Sequence, residues 1–204
     1  MKALLLLPAL LLCLASCQSS PAMPPAAADE ASPAATRPAQ AQAAIARPEY
    51  VEAKMLTVNG QPCDELGTTQ LTRQLGRPDS ISKGAVECGG QLETPMGSAN
   101  GDAWYYGKTM YEVRGTRAIL ASFDVTSGKF QGKLGKLVLN QNTTLEDVRR
   151  FFPVSAKQAD VSAAGRSGAE ITLPFFHDGK QTDASLILLF KKGQLQSVEF
   201  FQPC

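Results

Sequence analysis

The chain has 204 residues, of which 44% are apolar and 19% are charged, with 20 basic side chains against 19 acidic ones. This near-neutral balance gives no electrostatic reason for nucleic-acid binding, and the apolar content excludes a wholly disordered chain. No apolar run reaches the roughly 20 residues that a membrane-spanning helix needs.

The first 16 residues have the features of a secretory signal. Lys2 provides a positive charge, and the apolar stretch Ala3–Leu14 has the length of a signal-peptide core. The following Leu14-Ala15-Ser16-Cys17 resembles the bacterial lipoprotein signal, in which cleavage occurs before a cysteine that carries a diacylglycerol thioether and an acylated amine. We therefore expect a signal peptide over 1–16 and a lipid on Cys17. An ordinary secretory signal with an incidental cysteine is the alternative.

The residue after Cys17 bears on the location of the protein. In lipoproteins of this type an aspartate at that position tends to retain the protein in the inner membrane, whereas this chain has Gln18. The resemblance therefore implies an anchor in the outer membrane with the protein facing the periplasm. The membrane, reached through the N-terminal lipid, is the first expected partner.

Residues 18–50 form a segment that is poor in large apolar side chains. It holds twelve alanines and six prolines, and Ile45 is its sole member of the Leu/Ile/Val/Phe set. Such a segment buries too little apolar surface to offset the entropy cost of ordering it. We interpret 17–50 as a lipidated cysteine followed by a disordered tether, which reaches roughly 100 Å at about 3.1 Å per residue. A cleaved pro-segment is the alternative.

The globular part is predicted to extend over 51–204, and its first half contains strands, one helix and turns. Thr68 or Thr69 can cap a short helix that places Leu71 and Leu75 on one face and ends at Gly76. The turns are predicted at Gly107-Lys108 and at Gly115. The predicted strands are Met55–Val58, Ala103–Tyr106, Met110–Val113 and Ile119–Val125.

The second half repeats this order of elements. Lys136–Leu139 reads as a strand, after which Thr144 and Asp147 form a pattern like a capping box. Leu145, Val148 and Phe152 then share one helix face, and Pro153 is predicted to stop the helix. The strands that follow are Ile171–Phe176, Ala184–Phe190 and Gln194–Phe201.

The element order predicts the fold class. Each half has a strand, a short helix and a meander of strands, which suggests a tandem duplication with halves at 55–130 and 131–204. Unequal offsets between the matching positions leave the duplication open. The order predicts an α+β fold in which short helices pack on an antiparallel sheet.

Three motifs of the first half resemble a known module. They are Thr69–Pro78 with its Leu-Gly-Arg-Pro end, the aromatic strand Ala103–Tyr106, and the strand Ile119–Val125 with its following hairpin. The pattern is similar to the small SmpA/OmlA-type lipoproteins of the β-barrel assembly machinery, and tandem copies of that architecture make the β-lactamase-inhibitor-protein fold. The resemblance implies a protein-binding, non-catalytic role.

Three cysteines, namely Cys63, Cys88 and Cys204, remain after the signal and the lipidation site. The periplasm permits disulfides, and an odd number leaves one thiol unpaired or paired with another chain. Cys63 and Cys88 flank the first helix, so we expect that pair. Cys88–Cys204 is the rival pairing.

The search for catalytic chemistry gives no motif. His177 is the only histidine, and its His-Asp-Gly context is typical of a turn between strands. Single carboxylates such as Glu112 and Asp124 are expected on solvated faces. There is no CxxC pair, nucleophile elbow or phosphate-binding loop. We expect no enzyme, no cofactor and no metal site.

The expected partner-binding residues are Trp104, Tyr105, Tyr106 and Tyr111, which lie close to basic side chains as in protein-binding hot spots. Strand alternation places Trp104 and Tyr106 on one face and Tyr105 on the other, and core packing is the alternative role. We expect a scaffolding lipoprotein that binds an unidentified envelope protein. The alternative is a periplasmic inhibitor or immunity lipoprotein that blocks a hydrolase or toxin.

Overall fold

Antiparallel strands and three short helices make up the described chain, which confirms the predicted α+β class. The computed structural model describes residues 49–87, 90–93, 100–162 and 168–203, with the backbone alone for 160–162. The helices are α1 (Thr68–Leu75), α2 (Leu145–Phe151) and α3 (Pro153–Ser162), and a turn of 3₁₀ helix spans Ala53–Met55. The strands are β1 (Val51–Glu52), β2 (Leu56–Val58), β3 (Gln61–Pro62), β4 (Leu66–Gly67), β5 (Ser80–Val86), β6 (Gly101–Tyr106), β7 (Thr109–Arg114), β8 (Arg117–Asp124), β9 (Gly132–Leu134), β10 (Leu137–Leu139), β11 (Gly168–His177), β12 (Lys180–Lys191) and β13 (Gln194–Phe201).

Two sheets organise these strands. In the described residues the larger sheet has nine strands, eight of them in the order β1-β11-β12-β13-β8-β7-β6-β5, with β4 paired to part of β8. The β1–β11 pair is parallel and the other pairs are antiparallel. The smaller sheet has the order β10-β9-β2-β3.

The larger sheet joins the two predicted halves. In each half the helices precede a meander, β5 to β8 in the first and β11 to β13 in the second. The last strands of the two meanders pair with each other, with Phe123 opposite Val198. This is the arrangement that two copies of one unit would produce, and their common origin stays a prediction.

One face of the larger sheet, which we call the inner face, carries the core. Its buried side chains pack with those of the helices, and the largest fully buried ones are Phe123, Leu71, Ile171, Leu173, Leu186 and Leu188 on these elements. Burial of each such side chain stabilises the fold by about 1.5–3 kcal/mol relative to exposure. The opposite face of the same sheet is called the outer face below.

The start of α1 differs from the prediction. Gly67 is the N-cap residue and no side chain caps the helix, so the expected cap from Thr68 or Thr69 is wrong. The reason is that β4 leads directly into α1, and the backbone N–H of Thr68 donates to the Thr116 carbonyl at 2.8 Å. The predicted stop is confirmed, because Gly76 ends the helix with a φ of 83°.

The start of α2 follows the prediction. Thr144 Oγ1 accepts a hydrogen bond from the Asp147 N–H at 3.1 Å, and the Asp147 carboxylate accepts one from the Thr144 N–H at 2.9 Å. The Thr144 hydroxyl also donates to the Asp147 carboxylate at 2.7 Å, and this bond, together with the one from the Thr144 N–H, lowers the pKa of Asp147. Pro153 does follow the end of α2, but it is also the first residue of α3, a helix that was not predicted.

The capping box should contribute measurably to stability. We expect Thr144→Ala to lower the free energy of unfolding by about 1 kcal/mol, the usual cost of losing a side-chain cap. The pKa of Asp147 lies below its ordinary value of 3.8 in the folded protein, so the stabilisation is present above that pH and is lost as the pH falls through the folded pKa. Urea unfolding at pH 7 and at pH 3 measures both effects.

Thr69→Ala is the matched control. Thr69 lies in the first turn of α1, and its side chain makes no hydrogen bond within the described residues. Its replacement should leave the free energy of unfolding within about 0.5 kcal/mol of the parent protein. Equal losses in the two variants would contradict the role of the Thr144 cap.

Candidate functional site

The predicted aromatic hairpin exists as β6 and β7, which are joined at Gly107-Lys108. Gly107 has a φ of 64°, which is why a glycine suits this turn. The register pairs Trp104 with Tyr111 and Tyr105 with Met110. Trp104 and Tyr111 therefore point to the inner face and Tyr105 to the outer face, as strand alternation predicts.

Two of the four predicted contact residues belong to the core. The side chains of Tyr106 and Tyr111 are only 8% and 9% exposed, and their rings pack edge to face with centroids 5.9 Å apart. The Tyr106 hydroxyl donates to the Gly76 carbonyl at 3.2 Å, and burial raises the pKa of Tyr111 to about 12. Because buried side chains cannot touch a partner without unfolding, the contact prediction narrows to Trp104 and Tyr105.

Trp104 lies near the edge of the larger sheet and packs mainly inward. Its cross-strand neighbour on β5 is the exposed Ile81, and its own side chain is half-buried against the core. The indole Nε1 is buried and has no hydrogen-bond acceptor among the described residues. Trp104 thus offers a partner little more than one edge of its ring.

Tyr105 belongs to a continuous row of side chains across the outer face. Directly paired residues carry this row over six strands, and each of its members is at least partly exposed. At about 4.8 Å between strands the row is roughly 24 Å long. The outer row consists of Tyr105, Met110, Ser122, Glu199, Ile187 and Thr172.

A short segment covers one end of the outer face beside this row. The Glu112 carboxylate accepts hydrogen bonds from the Gln91 N–H at 2.6 Å and from Arg114 Nε at 2.9 Å. Gln91 Nε2 also donates to the Leu120 carbonyl. Residues 90–92 therefore lie across β7 and β8, and they close that end of the face to solvent.

The burial of the carboxylates corrects an expectation from the sequence. Glu112 and Asp124 were expected on solvated faces, but both are buried. Glu112 is held by backbone N–H groups and by Arg114, whereas the Asp124 carboxylate accepts bonds from the Thr126 hydroxyl and the Ser127 N–H. Each buried charge is thus compensated by donors, and both have structural roles here.

The outer face stays open on β12 and β13, on both sides of the outer row. Phe201 pairs with Ser185 on β12, and its side chain is 51% exposed. Leu189, opposite Ser197, adds a half-buried apolar side chain to the same face. The open part of the outer face therefore mixes aromatic, aliphatic, hydroxyl and carboxylate groups on one sheet surface.

A separate cleft lies between α1 and the smaller sheet. It encloses about 530 Å³ and has an apolar floor with amide and carboxylate groups around it. Its lining includes Asn59, Cys63, Asp64, Gln70, Gln74, Leu75, Tyr111 and Leu120. The volume falls within the range of small-molecule sites.

The cleft also contains a thiol, that of Cys63. Cys63 is half-buried and forms no disulfide within the described residues, and burial together with the nearby Asp64 carboxylate raises its pKa to about 12. The thiolate, which is the nucleophile and metal ligand, is therefore scarce at pH 7. Cys17, Cys88 and Cys204 lie outside the described residues, so the Cys63–Cys88 pair stays a prediction.

His177 occupies the turn position that the sequence predicts. It ends β11 opposite Lys180, and Asp178-Gly179 form the turn with φ angles of 49° and 74°. Its ring lies on the surface, with Nε2 3.4 Å from the Asp178 carboxylate. The described residues contain no group of three or more side chains placed to hold a metal ion.

Comparison with known proteins gives no relative. No known protein family, no curated protein and no solved structure matches this chain. Within the described part of the chain, no helix is long and apolar enough to cross a membrane. The site must therefore be interpreted from its own geometry.

Proposed function

We propose that the protein is a non-enzymatic lipoprotein of the outer membrane, anchored at Cys17 and facing the periplasm, whose folded domain binds another envelope protein. The observation that supports the binding role is the open outer face. It offers a row about 24 Å long from Tyr105 to Thr172, next to the exposed ring of Phe201. No cofactor, metal or nucleic acid enters this proposal.

The shape and composition of the surface favour a protein partner. A sheet face that extends over six strands is wide and shallow, whereas small ligands bind in enclosed clefts. Tyrosine, phenylalanine and methionine, which are enriched in protein interfaces, occur on it as Tyr105, Phe201 and Met110. Glu199 in the middle of the row supplies one charge that a partner would have to match.

The strands hold these groups in fixed positions. Backbone pairing on both sides of β8, β13 and β12 orders the surface before any partner arrives. Preorganised contact residues lose little conformational entropy on binding, so more of the interaction free energy appears as affinity. The face is thus suited to recognise a partner of complementary shape rather than an unfolded chain.

We expect Phe201→Asp to abolish capture of the partner. An exposed aromatic anchor is the kind of residue whose loss costs 2 kcal/mol or more of binding, about 30-fold in affinity, and the added carboxylate would be desolvated on binding. Pull-down from native outer membranes, with the captured proteins identified by mass, measures the effect. Inhibition of a captured hydrolase would favour the inhibitor role over the scaffold role.

Val138→Asp is the matched control. Val138 is an equally exposed aliphatic residue on β10 of the smaller sheet, away from the outer face. Thermal melting should show that both variants remain folded, because both side chains are solvent-exposed. Unchanged capture by Phe201→Asp, or equal loss in both variants, would contradict the assignment of the surface.

The anchor has its own test. We expect Cys17→Ala to move the protein from the membrane fraction into the soluble periplasm, because alanine has no thiol to form the thioether at the predicted lipidation position. In the parent protein, burial of several acyl chains at about 0.8 kcal/mol per methylene would make the anchor stable. Fractionation of the cells measures the location of the variant, and the intact mass of the parent protein should include the acyl groups. A variant that stays in the membrane fraction would contradict the proposed anchor.

A further inference from the structure

A group of exposed apolar side chains surrounds the place where the described chain begins. Tyr50, Phe151 and Val154 are 38%, 46% and 46% exposed, although each is large and hydrophobic. They make up half of the most exposed large hydrophobic side chains in the described residues, the others being Ile81, Val138 and Phe201. Such grouping on a surface indicates an interaction site. We call these three residues the N-terminal corner.

Hydrogen bonds hold Glu49, the first described residue, at this corner. The Glu49 carboxylate accepts bonds from the backbone N–H groups of Val154 and Ser155, each at 2.8 Å. These are free N–H groups in the first turn of α3, where a negative charge is stabilised. The ring of Tyr50 packs on Phe176 with centroids 4.8 Å apart. The apolar side chains are therefore held in place next to the incoming chain.

Basic side chains accompany the corner. The side chain of Arg150, next to Phe151, is 70% exposed and only loosely paired with Asp147 at 3.8 Å. Lys157 follows Val154 by one helical turn and is exposed. Of the carboxylates beside Val154, that of Glu49 is engaged by the α3 N–H groups, and the exposed Asp183 lines the same cavity. Exposed aromatic and aliphatic groups beside Arg and Lys are typical of surfaces that lie on anionic lipid.

We propose that the N-terminal corner docks on the membrane surface, with Phe151 and Val154 at the level of the anionic lipid headgroups. The inference rests on the proposed lipid anchor, because the chain outside the structure would then run from Cys17 in the membrane to Glu49 at this corner. The intervening 31 residues, whose composition predicts a tether, would keep the corner at an effective concentration on the order of millimolar near the lipid. A surface with weak intrinsic affinity is therefore sufficient.

The docked state would also orient the site of the proposed function. The open outer face lies on the sheet, whereas Phe151 is the last residue of α2 and Val154 is the second residue of α3. Val154 lines one cavity together with Thr172 and Ser185 of the outer face, so the corner borders the end of the outer row. Membrane contact and partner binding would thus use different residues of one domain.

The test uses tryptophan at the corner in the full lipidated protein. Phe151→Trp is reconstituted on vesicles of phosphatidylethanolamine and phosphatidylglycerol whose acyl chains carry bromine. We expect the tryptophan emission of this variant to shift to shorter wavelength. The brominated lipid should quench that emission much more than it quenches the emission of the parent protein, whose only tryptophan is Trp104. High salt should reduce the quenching, since part of the attraction is electrostatic.

Val138→Trp is the matched control, because Val138 has the same exposure but lies on the smaller sheet. It should show no quenching. Equal quenching at both positions, or none at position 151, would overturn the docking proposal. Flotation of the vesicles distinguishes failure of the docking proposal from failure of the proposed function. A protein that floats with the vesicles but shows no quenching at position 151 has its lipid anchor and does not dock through the corner. A protein that does not float has no lipid anchor.

Discussion

Replacing Glu112 with alanine should lower the free energy of unfolding by about 3–5 kcal/mol, as expected when one partner of a buried ion pair is removed. Arg114, whose side chain is only 11% exposed, would lose the carboxylate at 2.9 Å. The Gln91 N–H would lose its acceptor as well. Chemical unfolding in urea, compared with the parent protein, measures the loss.

The exposed pair Arg117–Glu65 gives the matched control. Both side chains are more than 40% exposed, although Arg117 donates two hydrogen bonds to the carboxylate. Because surface ion pairs are screened by water, Glu65→Ala should lower the free energy of unfolding much less than Glu112→Ala does. Comparable losses in the two variants would show that the contacts of Glu112 do not hold residues 90–92 on the sheet.

A second large effect is expected for the aromatic hairpin. Tyr106→Ala should cost about 3–5 kcal/mol, since it opens a cavity in the core and leaves the Gly76 carbonyl without its donor. Tyr105→Ala removes a half-buried ring from the outer face and should cost roughly 1 kcal/mol. Thermal melting of the two variants measures the difference between neighbouring residues on opposite faces.

Equal losses at these two positions would have a specific meaning. Tyr105 would then be as deeply covered as Tyr106, and the outer row would lose its aromatic end as a contact for a partner. Trp104→Ala should fall between the two, because its ring is half-buried against the inner core. Three graded values would establish which side of β6 is accessible in solution.

Much of the fold follows from local patterns in the sequence. Alternation of apolar residues predicts β12 and β13 because their inner positions, such as Leu186 and Val198, are fully buried. The Thr144–Asp147 capping box and the Gly76 stop are also local, since each needs only the residues within one turn of the helix end. Such features depend little on distant parts of the chain.

Besides four strands of two or three residues, two longer elements escaped prediction for identifiable reasons. β5 is an edge strand of mostly exposed and polar residues, so it lacks the apolar alternation that marks a half-buried strand. α3 begins at Pro153, which reads as a helix stop although proline is well suited to the first helical position. In both cases the local sequence allows two structures, and contacts with the rest of the fold determine which one forms.

The candidate site depends on pairing between strands that are distant in sequence. The outer row exists because β13 pairs with β8, which places Glu199 beside Ser122. Alternation along each strand indicates which side chains share a face, but it does not give the register between distant strands. The burial of Glu112 likewise depends on a segment that returns across the sheet, so the carboxylate by itself gave no sign of it.

Site-specific photo-cross-linking in living cells tests the central claim most directly. A photoreactive phenylalanine derivative at position 201 lies on the open outer face, and the same residue at position 138 lies on the smaller sheet with similar exposure. The proposal predicts one discrete protein adduct at position 201, in the membrane fraction, and none at position 138. Absence of an adduct at 201, or the same adducts at both positions, would contradict the assignment of the outer face as the partner-binding surface.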